Sequence, residues 1–196
     1  MKGIYIIGNG GHSKVVRDIL ESQGNVVIGH YDDTSKGERV MGNLNDIEGN
    51  GLYICAIGDS KIRETCVNRI GISNNSYINA IHPTAWISPS AQIGYGCMIG
   101  PFACVQADSK IGNHVIINTG SIVEHDCIID NYCHISPHST LCGGVKIGER
   151  VFIGAGATVI PKICIVDDVC IGAGATVIKN ISEIGTYVGT PCRKIK

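Results

Sequence analysis

From Ile81 onward the chain returns to an aliphatic residue at every sixth position. The series runs Ile81, Ile87, Ile93, Ile99, Val105, Ile111, Ile117, Val123, Ile129, Ile135, Leu141, Ile147, Ile153, Val159, Ile165, Ile171 and Val177. A fixed frame does this by chance on the order of once in 10¹⁰. Four residues after each aliphatic lies a second selected position, from Ala85 and Ala91 to Ala175 and Ile181, that holds only small or β-branched residues. The period predicts a triangular prism, with three six-residue faces to a coil and each face a short strand stacked on the next coil. The aliphatic points inward, and the small residue lies inward near the corner. Glycine follows the aliphatic at Gly94, Gly100, Gly112, Gly148, Gly154 and Gly172, which predicts a tight corner that needs φ > 0. A strict hexapeptide repeat marks the left-handed parallel β-helix, expected here over 80–196.

The first part of the chain follows other periods. Ile4-Tyr5-Ile6-Ile7 predicts a strand, broken by Gly8-Asn9-Gly10-Gly11-His12, after which Val15, Val16, Ile19 and Leu20 recur at helical spacing. Val26-Val27-Ile28 predicts a second strand closing on Tyr31-Asp32-Asp33. The run 52–57 predicts a third, ending at Gly58 before a helix-like stretch over 60–69. Strand, glycine turn, helix, strand is a small Rossmann-like βαβ unit with a parallel sheet. The chain is therefore expected to divide into an α/β domain at 1–79 and the β-helix at 80–196.

Composition fits the prism. With 26 Gly and only ten aromatic residues (seven Tyr, two Phe, one Trp), the chain suits a narrow core that has no room for large rings. The ten Cys include no C-x-x-C pair, and Cys97, Cys127 and Cys133 fall on interior small-residue positions, so they read as small hydrophobes in a reducing cytosol. A net charge of −1 with scattered Lys and Arg makes no case for nucleic acid or an anionic membrane. No stretch approaches the roughly eighteen apolar residues of a membrane span, and the N-terminus lacks a secretory h-region. A cytoplasmic protein is expected.

Three features carry candidate chemistry. Gly8-x-Gly10 stands after a strand and before a helix, where backbone N–H groups and a helix N-terminus hold phosphate. Ser13 replaces the third glycine of the dinucleotide fingerprint, so a phosphate-bearing ligand other than NAD is favoured, with a bare tight turn as the alternative. Asp32 and Asp33 close the second strand, where a carboxylate accepts from a sugar or base, or simply sits in a solvated turn. His125 stands between Glu124 and Asp126, and a carboxylate partner holds an imidazole in one tautomer and raises its basicity, as a general base requires. A surface cluster without chemistry is the bland alternative. His82 reads as structural, and His114 and His138 as solvent-facing.

These segments, with Ala56-Ile57-Gly58-Asp59-Ser60-Lys61-Ile62-Arg63, Ile81-His82-Pro83-Thr84-Ala85, Asn118-Thr119-Gly120-Ser121-Ile122-Val123-Glu124-His125-Asp126, His134-Ile135-Ser136, Gly143-Gly144-Val145 and Val188-Gly189-Thr190-Pro191, resemble the hexapeptide-repeat sugar O- and N-acyltransferases. Within that family the likeness is to the enzymes that N-acetylate nucleotide-linked 4-amino sugars, with sialic acid O-acetyltransferases next. The resemblance implies a homotrimer with active sites between subunits, acetyl-CoA as co-substrate in the groove between helices, a nucleotide-activated amino sugar on the N-terminal domain, and no metal. It implies His125 as general base, Asp126 or Glu124 as its orienting acid, and Asn118 in the same site. Acetyl-CoA would meet His134, the Gly143 backbone, and Ala155 and Ala173, which replace other residues along the groove. The substrate would meet Gly8, Asn9, Gly10, Gly11, His12, Asp32, Asp33, Ile57 and Gly58.

The expected reaction is direct transfer to the 4-amino group of a UDP-linked amino-dideoxy sugar. O-acetylation of a sialic acid or another sugar hydroxyl is the alternative. Cys142 has no adjacent base and is not expected to be a nucleophile. Zinc hydratases that share the helix use a His pair five apart and a third His two coils earlier. Here His134 and His138 are four apart, and Met98 stands two coils before His134.

Overall fold

Runs of Ile and Val that alternate with a glycine turn and an amphipathic helix build a parallel sheet first. A computed structural model describes residues 3–34, 37 and 39–196. Strands β1 (Ile4–Ile7), β2 (Val27–Tyr31), β3 (Val40–Gly42) and β4 (Leu52–Cys55) pair in the order β3-β2-β1-β4, all parallel. Helix α1 (Gly11–Ser22) buries Val16, Ile19 and Leu20 of the stripe its spacing announces, while Val15 lies on the exposed side. Helix α2 (Ser60–Ile70) starts where the Asp59 carboxylate accepts the Ile62 N–H at 2.9 Å, and stops at Gly71, whose φ is +61°. The third predicted strand ends at Cys55, two residues early, and the short edge strand β3 had no apolar run to announce it.

The hexapeptide frame then runs as three parallel stacks. The first face holds Ala80–Ile81, Met98–Ile99, Ile116–Ile117, His134–Ile135, Phe152–Ile153 and Val169–Ile171. The second runs from Trp86–Ile87 to Thr176–Val177, and the third from Gln92–Ile93 to Cys164–Ile165. Each strand pairs in register with the one eighteen residues on, as Ile117 does with Ile135. The repeated aliphatics from Ile99 to Val177 are buried, as are Cys97, Cys127 and Cys133. After Ile181 the frame ends. Gly185–Val188 extends the first face and Arg193–Lys194 returns antiparallel to close its edge.

The corners correct one expectation. The glycines directly after the aliphatics do not have positive φ; the left-handed residue is two positions further on. Nine non-glycine residues there, among them Phe102, His114, Asp126 and His138, have φ of 54–62°, and Gly96, Gly120, Gly144, Gly156 and Gly174 share the conformation. The glycine after the aliphatic answers to crowding instead. A Cβ on Gly154 would stand 2.5 Å from the Ala173 nitrogen and 2.6 Å from the Gly172 carbonyl carbon in the next coil.

The two units share a core. Ile4, Ile6, Val16, Ile19, Leu20 and Ile54 pack with Ala80, Met98 and Ile116 on the outside of the first face. Higher up the same outward column, His134, Phe152 and Cys170 take over. The β1–α1 and β4–α2 turns thus lie against the middle coils of the prism. Two glycines of one coil test the corner rule. Gly154→Ala should cost more than about 2 kcal/mol, because a neighbouring backbone must shift. Gly156→Ala, with φ of +66° and open space around it, should cost about 1 kcal/mol. Urea denaturation measures both, and equal losses would show that φ, not the close approach, limits the corner.

Candidate active site

Arg63 lies on the inner side of α2 and is 0% exposed. A guanidinium has five N–H groups, and here five bonds end on five backbone carbonyls. Nε donates to His114 O at 2.9 Å, Nη1 to Ile57 O at 2.7 Å and Gly58 O at 3.1 Å, and Nη2 to Tyr132 O at 2.6 Å and Cys133 O at 3.2 Å. One side chain therefore joins the β4–α2 turn to two successive coils. Among the described residues no carboxylate pairs with it. Beside it His114 is 1% exposed, its ring stacked on Tyr132 at 5.3 Å and edge-on to Tyr77 at 4.6 Å. The expectation that His114 faces solvent fails because Tyr77, Tyr95 and Tyr132 pack around its ring, whereas Phe102 and His138 at equivalent corners stay exposed.

His134 and Asn118 meet at the same joint. His134 Nδ1 donates to Gly58 O at 3.1 Å, and its Nε2 accepts from Asn118 Nδ2 at 3.2 Å. The His12 ring, on the first turn of α1, lies 6.3 Å from that of His134, and its Nε2 has no partner among the described residues. Burial and, behind it, the Arg63 charge hold His12 and His114 at about 4. Burial likewise lowers His134 to about 4, with Arg63 and His12 adding to it against the Gly58 hydrogen bond. All three rings are neutral at pH 7. A cavity of about 530 Å³ opens beyond them, lined by Ser60, Lys61, His134, Arg150, Phe152 and Asp168 among others.

His125 belongs to a different corner, between the second and third faces. Its Nδ1 lies 2.8 Å from Asp126 Oδ2, with both side chains exposed. The carboxylate can only accept, so Nδ1 carries the proton and Nε2 the free lone pair. Asp126 reaches back to the preceding residue because its φ is +59°. Asp126, not Glu124, is the acid bonded to the ring. Gly143, one coil above, makes room for that ring, since a Cβ there would lie 2.6 Å from His125 Nε2. Among the described residues the Gly143 N–H donates to no protein acceptor, while Gly144 N donates to His125 O at 2.9 Å. Burial and the Glu124 charge push the neighbouring Cys142 thiol up, away from a nucleophile's range.

The N-terminal loops form a third group. Gly8 has φ of +99°, and its carbonyl accepts from the Nδ1 of buried His30 at 2.9 Å. The other His30 nitrogen meets Arg17. Gly10 caps α1 without a side-chain bond, and Gly10 and Gly11 face open space. The Asn9 N–H donates to Asp32 Oδ2 at 2.7 Å, and Asp33 is engaged by Arg69 at 2.7 Å and by the Leu44 N–H at 3.1 Å. Gly8, Asp32, Asp33, Ile57 and Ile62 help line a cavity of about 160 Å³. Ala155 and Ala173 are exposed at the corner between the first and second faces, above Asn118.

The structure thus brings His134, Asn118, Gly58 and His12 together, and separately His125, Asp126 and Gly143. It does not join the two sets within one chain. Arg63, His30 and Arg17 are missed by sequence reasoning. A lone Arg in an amphipathic helix reads as surface, and no sequence signal marks the joint it enters.

Residues 3–70 match the family model of the PglD N-terminal domain, and residues 108–143 match the bacterial transferase hexapeptide (six repeats). A mutant of perosamine N-acetyltransferase from Caulobacter crescentus, in complex with CoA and GDP-perosamine, is 36% identical. It superposes with a TM-score of 0.93 over 100% of this chain and 98% of that one. The acetyltransferase domain of PglB from Neisseria gonorrhoeae FA1090, in complex with acetyl coenzyme A, is 33% identical with a TM-score of 0.92 over 99% of both chains. UDP-N-acetylbacillosamine N-acetyltransferase from Bacillus subtilis (strain 168) is 37% identical over 111 residues, covering 50% of this chain and 51% of that protein. The chain spans about half or less of the curated relatives it matches.

The three neutral histidines set an acid limit on stability. Their folded values of about 4 lie below the ordinary 6.5, so below pH 6.5 the unfolded chain binds protons that the folded chain refuses. Stability is full above that pH and is lost as pH falls towards 4, by up to about 1.4 kcal/mol per pH unit for each histidine. Denaturation midpoints at pH 7, 6 and 5 should fall steadily. A flat profile would contradict the buried neutral rings.

Proposed function

We propose, for a chain that belongs to the hexapeptide-repeat sugar N-acetyltransferases with a PglD N-terminal domain, that it moves the acetyl group of acetyl-CoA onto the 4-amino group of a UDP-linked amino-dideoxy sugar. One observation carries the reading: His125 Nε2 stands with a free lone pair beside an unengaged Gly143 N–H, while Asp126 holds Nδ1. A base and an oxyanion donor in one place are what acyl transfer to an amine needs. The neutral amine attacks the thioester carbonyl and the N–C bond forms. His125 Nε2 takes the amine proton, and Asp126 stabilises the imidazolium. The Gly143 N–H meets the developing oxyanion. Collapse breaks the C–S bond, and the CoA thiolate leaves with the proton returned from His125. No acyl-cysteine and no metal enters the reaction.

The separation of the two side-chain sets supports a homotrimer. Asn118 and His134 lie at one corner of the prism and His125 at the next, so two copies packed corner to corner complete a site that one copy leaves divided. Acetyl-CoA lies along that groove against Ala155 and Ala173, near His134 and Gly143. The nucleotide takes the N-terminal domain, residues 1–79, at Gly8, Asn9, Gly10, Gly11, His12, Asp32, Asp33, Ile57 and Gly58. The β-helix, residues 80–196, does the chemistry. Among the described residues no helix is long and apolar enough to cross a membrane, in keeping with a cytoplasmic enzyme that meets soluble nucleotide sugars.

Thiol release from acetyl-CoA, measured with UDP-, GDP- and dTDP-linked 4-amino sugars and with a sialic acid, tests the assignment. Release is expected with the UDP-4-amino sugar, and His125→Ala should lower kcat by about 10²-fold or more. Near-normal turnover in that variant removes His125 as base. Release with the GDP or dTDP sugar alone reassigns the nucleotide, and release with sialic acid alone moves the reaction to a hydroxyl.

A further inference from the structure

We propose that Arg63 is a positioning residue for acetyl transfer: by holding the Gly58 carbonyl it sets the direction of a hydrogen-bond relay through His134 that fixes the side-chain amide of Asn118. The inference rests on the acetyltransferase reading above.

The relay begins where two donors share one acceptor. Arg63 Nη1 and His134 Nδ1 both reach Gly58 O at 3.1 Å. A carbonyl only accepts, so His134 carries its proton on Nδ1 and its lone pair on Nε2. Asn118 Nδ2 must then donate to that lone pair, at 3.2 Å, and Asn118 Oδ1 accepts the Thr119 N–H at 2.8 Å. Both ends of the amide meet obligate partners, so it cannot flip. One Asn118 N–H remains unassigned to any protein acceptor among the described residues, and the site is offered a donor rather than an acceptor.

Protonation of His134 would reverse this. Nε2 would then be a donor facing another donor, and the Asn118 amide would have to rotate and abandon Thr119. The groups that face His134 oppose that change. Arg63 approaches from α2 with no carboxylate partner among the described residues, and the His12 ring comes from α1. Around the adjoining cavity, Asp168 is paired with both Lys61 and Arg150, and Asp59 caps α2. Burial and Arg63 act together to keep the ring neutral. Lysine could not replace Arg63 in this role, because an ammonium has three N–H groups for five carbonyls.

The test uses the full chain with ¹⁵N-labelled histidine, as wild type, Arg63→Met and Arg63→Lys, with His134→Gln to assign the signal. In wild type His134 should show the Nδ1–H tautomer and stay neutral from pH 8 to pH 5. In Arg63→Met, which removes the charge, its titration should move up from about 4 while burial still holds it below 6.5. In both variants, which leave the carbonyls short of donors, kcat at pH 5.5 should fall about 10-fold or more relative to wild type, with KM changing less. Folded variants with unchanged His134 titration and an unchanged pH–kcat profile would make Arg63 structural only and overturn the proposal. If neither variant folds, the wild-type spectrum decides: an Nε2–H tautomer or titration near 6.5 overturns it, and a persistent neutral Nδ1–H ring supports it. The spectra do not depend on turnover, so a wild type that releases no thiol with any amino sugar sinks the acetyltransferase reading and leaves the relay result standing.

Discussion

Arg63 brings a full positive charge into a joint where, among the described residues, no carboxylate pairs with it, and five carbonyl dipoles take the place of a counter-ion. Such an arrangement holds only if every donor is satisfied, because a buried charge left short of partners costs several kcal/mol. The five acceptors come from the β4–α2 turn and from two coils of the prism. The joint is therefore set to within the tolerance of a hydrogen bond, about 0.3 Å. Burial keeps three neighbouring histidines neutral, and the same charge adds to that effect.

The prism contributes the other constraint. From Ile93 to Ile171 its corners place a left-handed residue three positions after each inward aliphatic, whether that residue is Gly, Asp, His or Phe. At 125–126 this conformation lets a carboxylate fold back onto the ring of the residue before it, a contact that consecutive residues in an extended strand cannot make because their side chains point to opposite faces. The coil above supplies a glycine where any Cβ would displace the imidazole. The candidate base is thus a local elaboration of the corner that every coil must turn.

Much of this was legible in the chain itself. The six-residue frame was readable because a narrow interior tolerates little but branched aliphatics, and that selection repeats at every face. The His125 cluster was readable because acid and base are adjacent in sequence. Arg63 was not, since its five acceptors are backbone atoms, which leave no mark in a sequence, and the residues bearing them are up to 70 positions away. His114 was misjudged for a related reason: its burial depends on Tyr77, Tyr95 and Tyr132, drawn from other coils and the linking segment. The corner glycines were placed correctly and explained wrongly, because crowding from the next coil and a positive φ both select for a missing side chain.

The in-register stacking of coils has a consequence for how such a chain can change over generations. A single inserted residue would turn every later side chain onto the wrong face, whereas eighteen at once would leave each one where it was. Length along the prism is therefore heritable only in whole coils of about 4.8 Å. The corner that holds His125 and Asp126 stays intact through any such duplication above it, and the prism can be lengthened without disturbing the contacts made there.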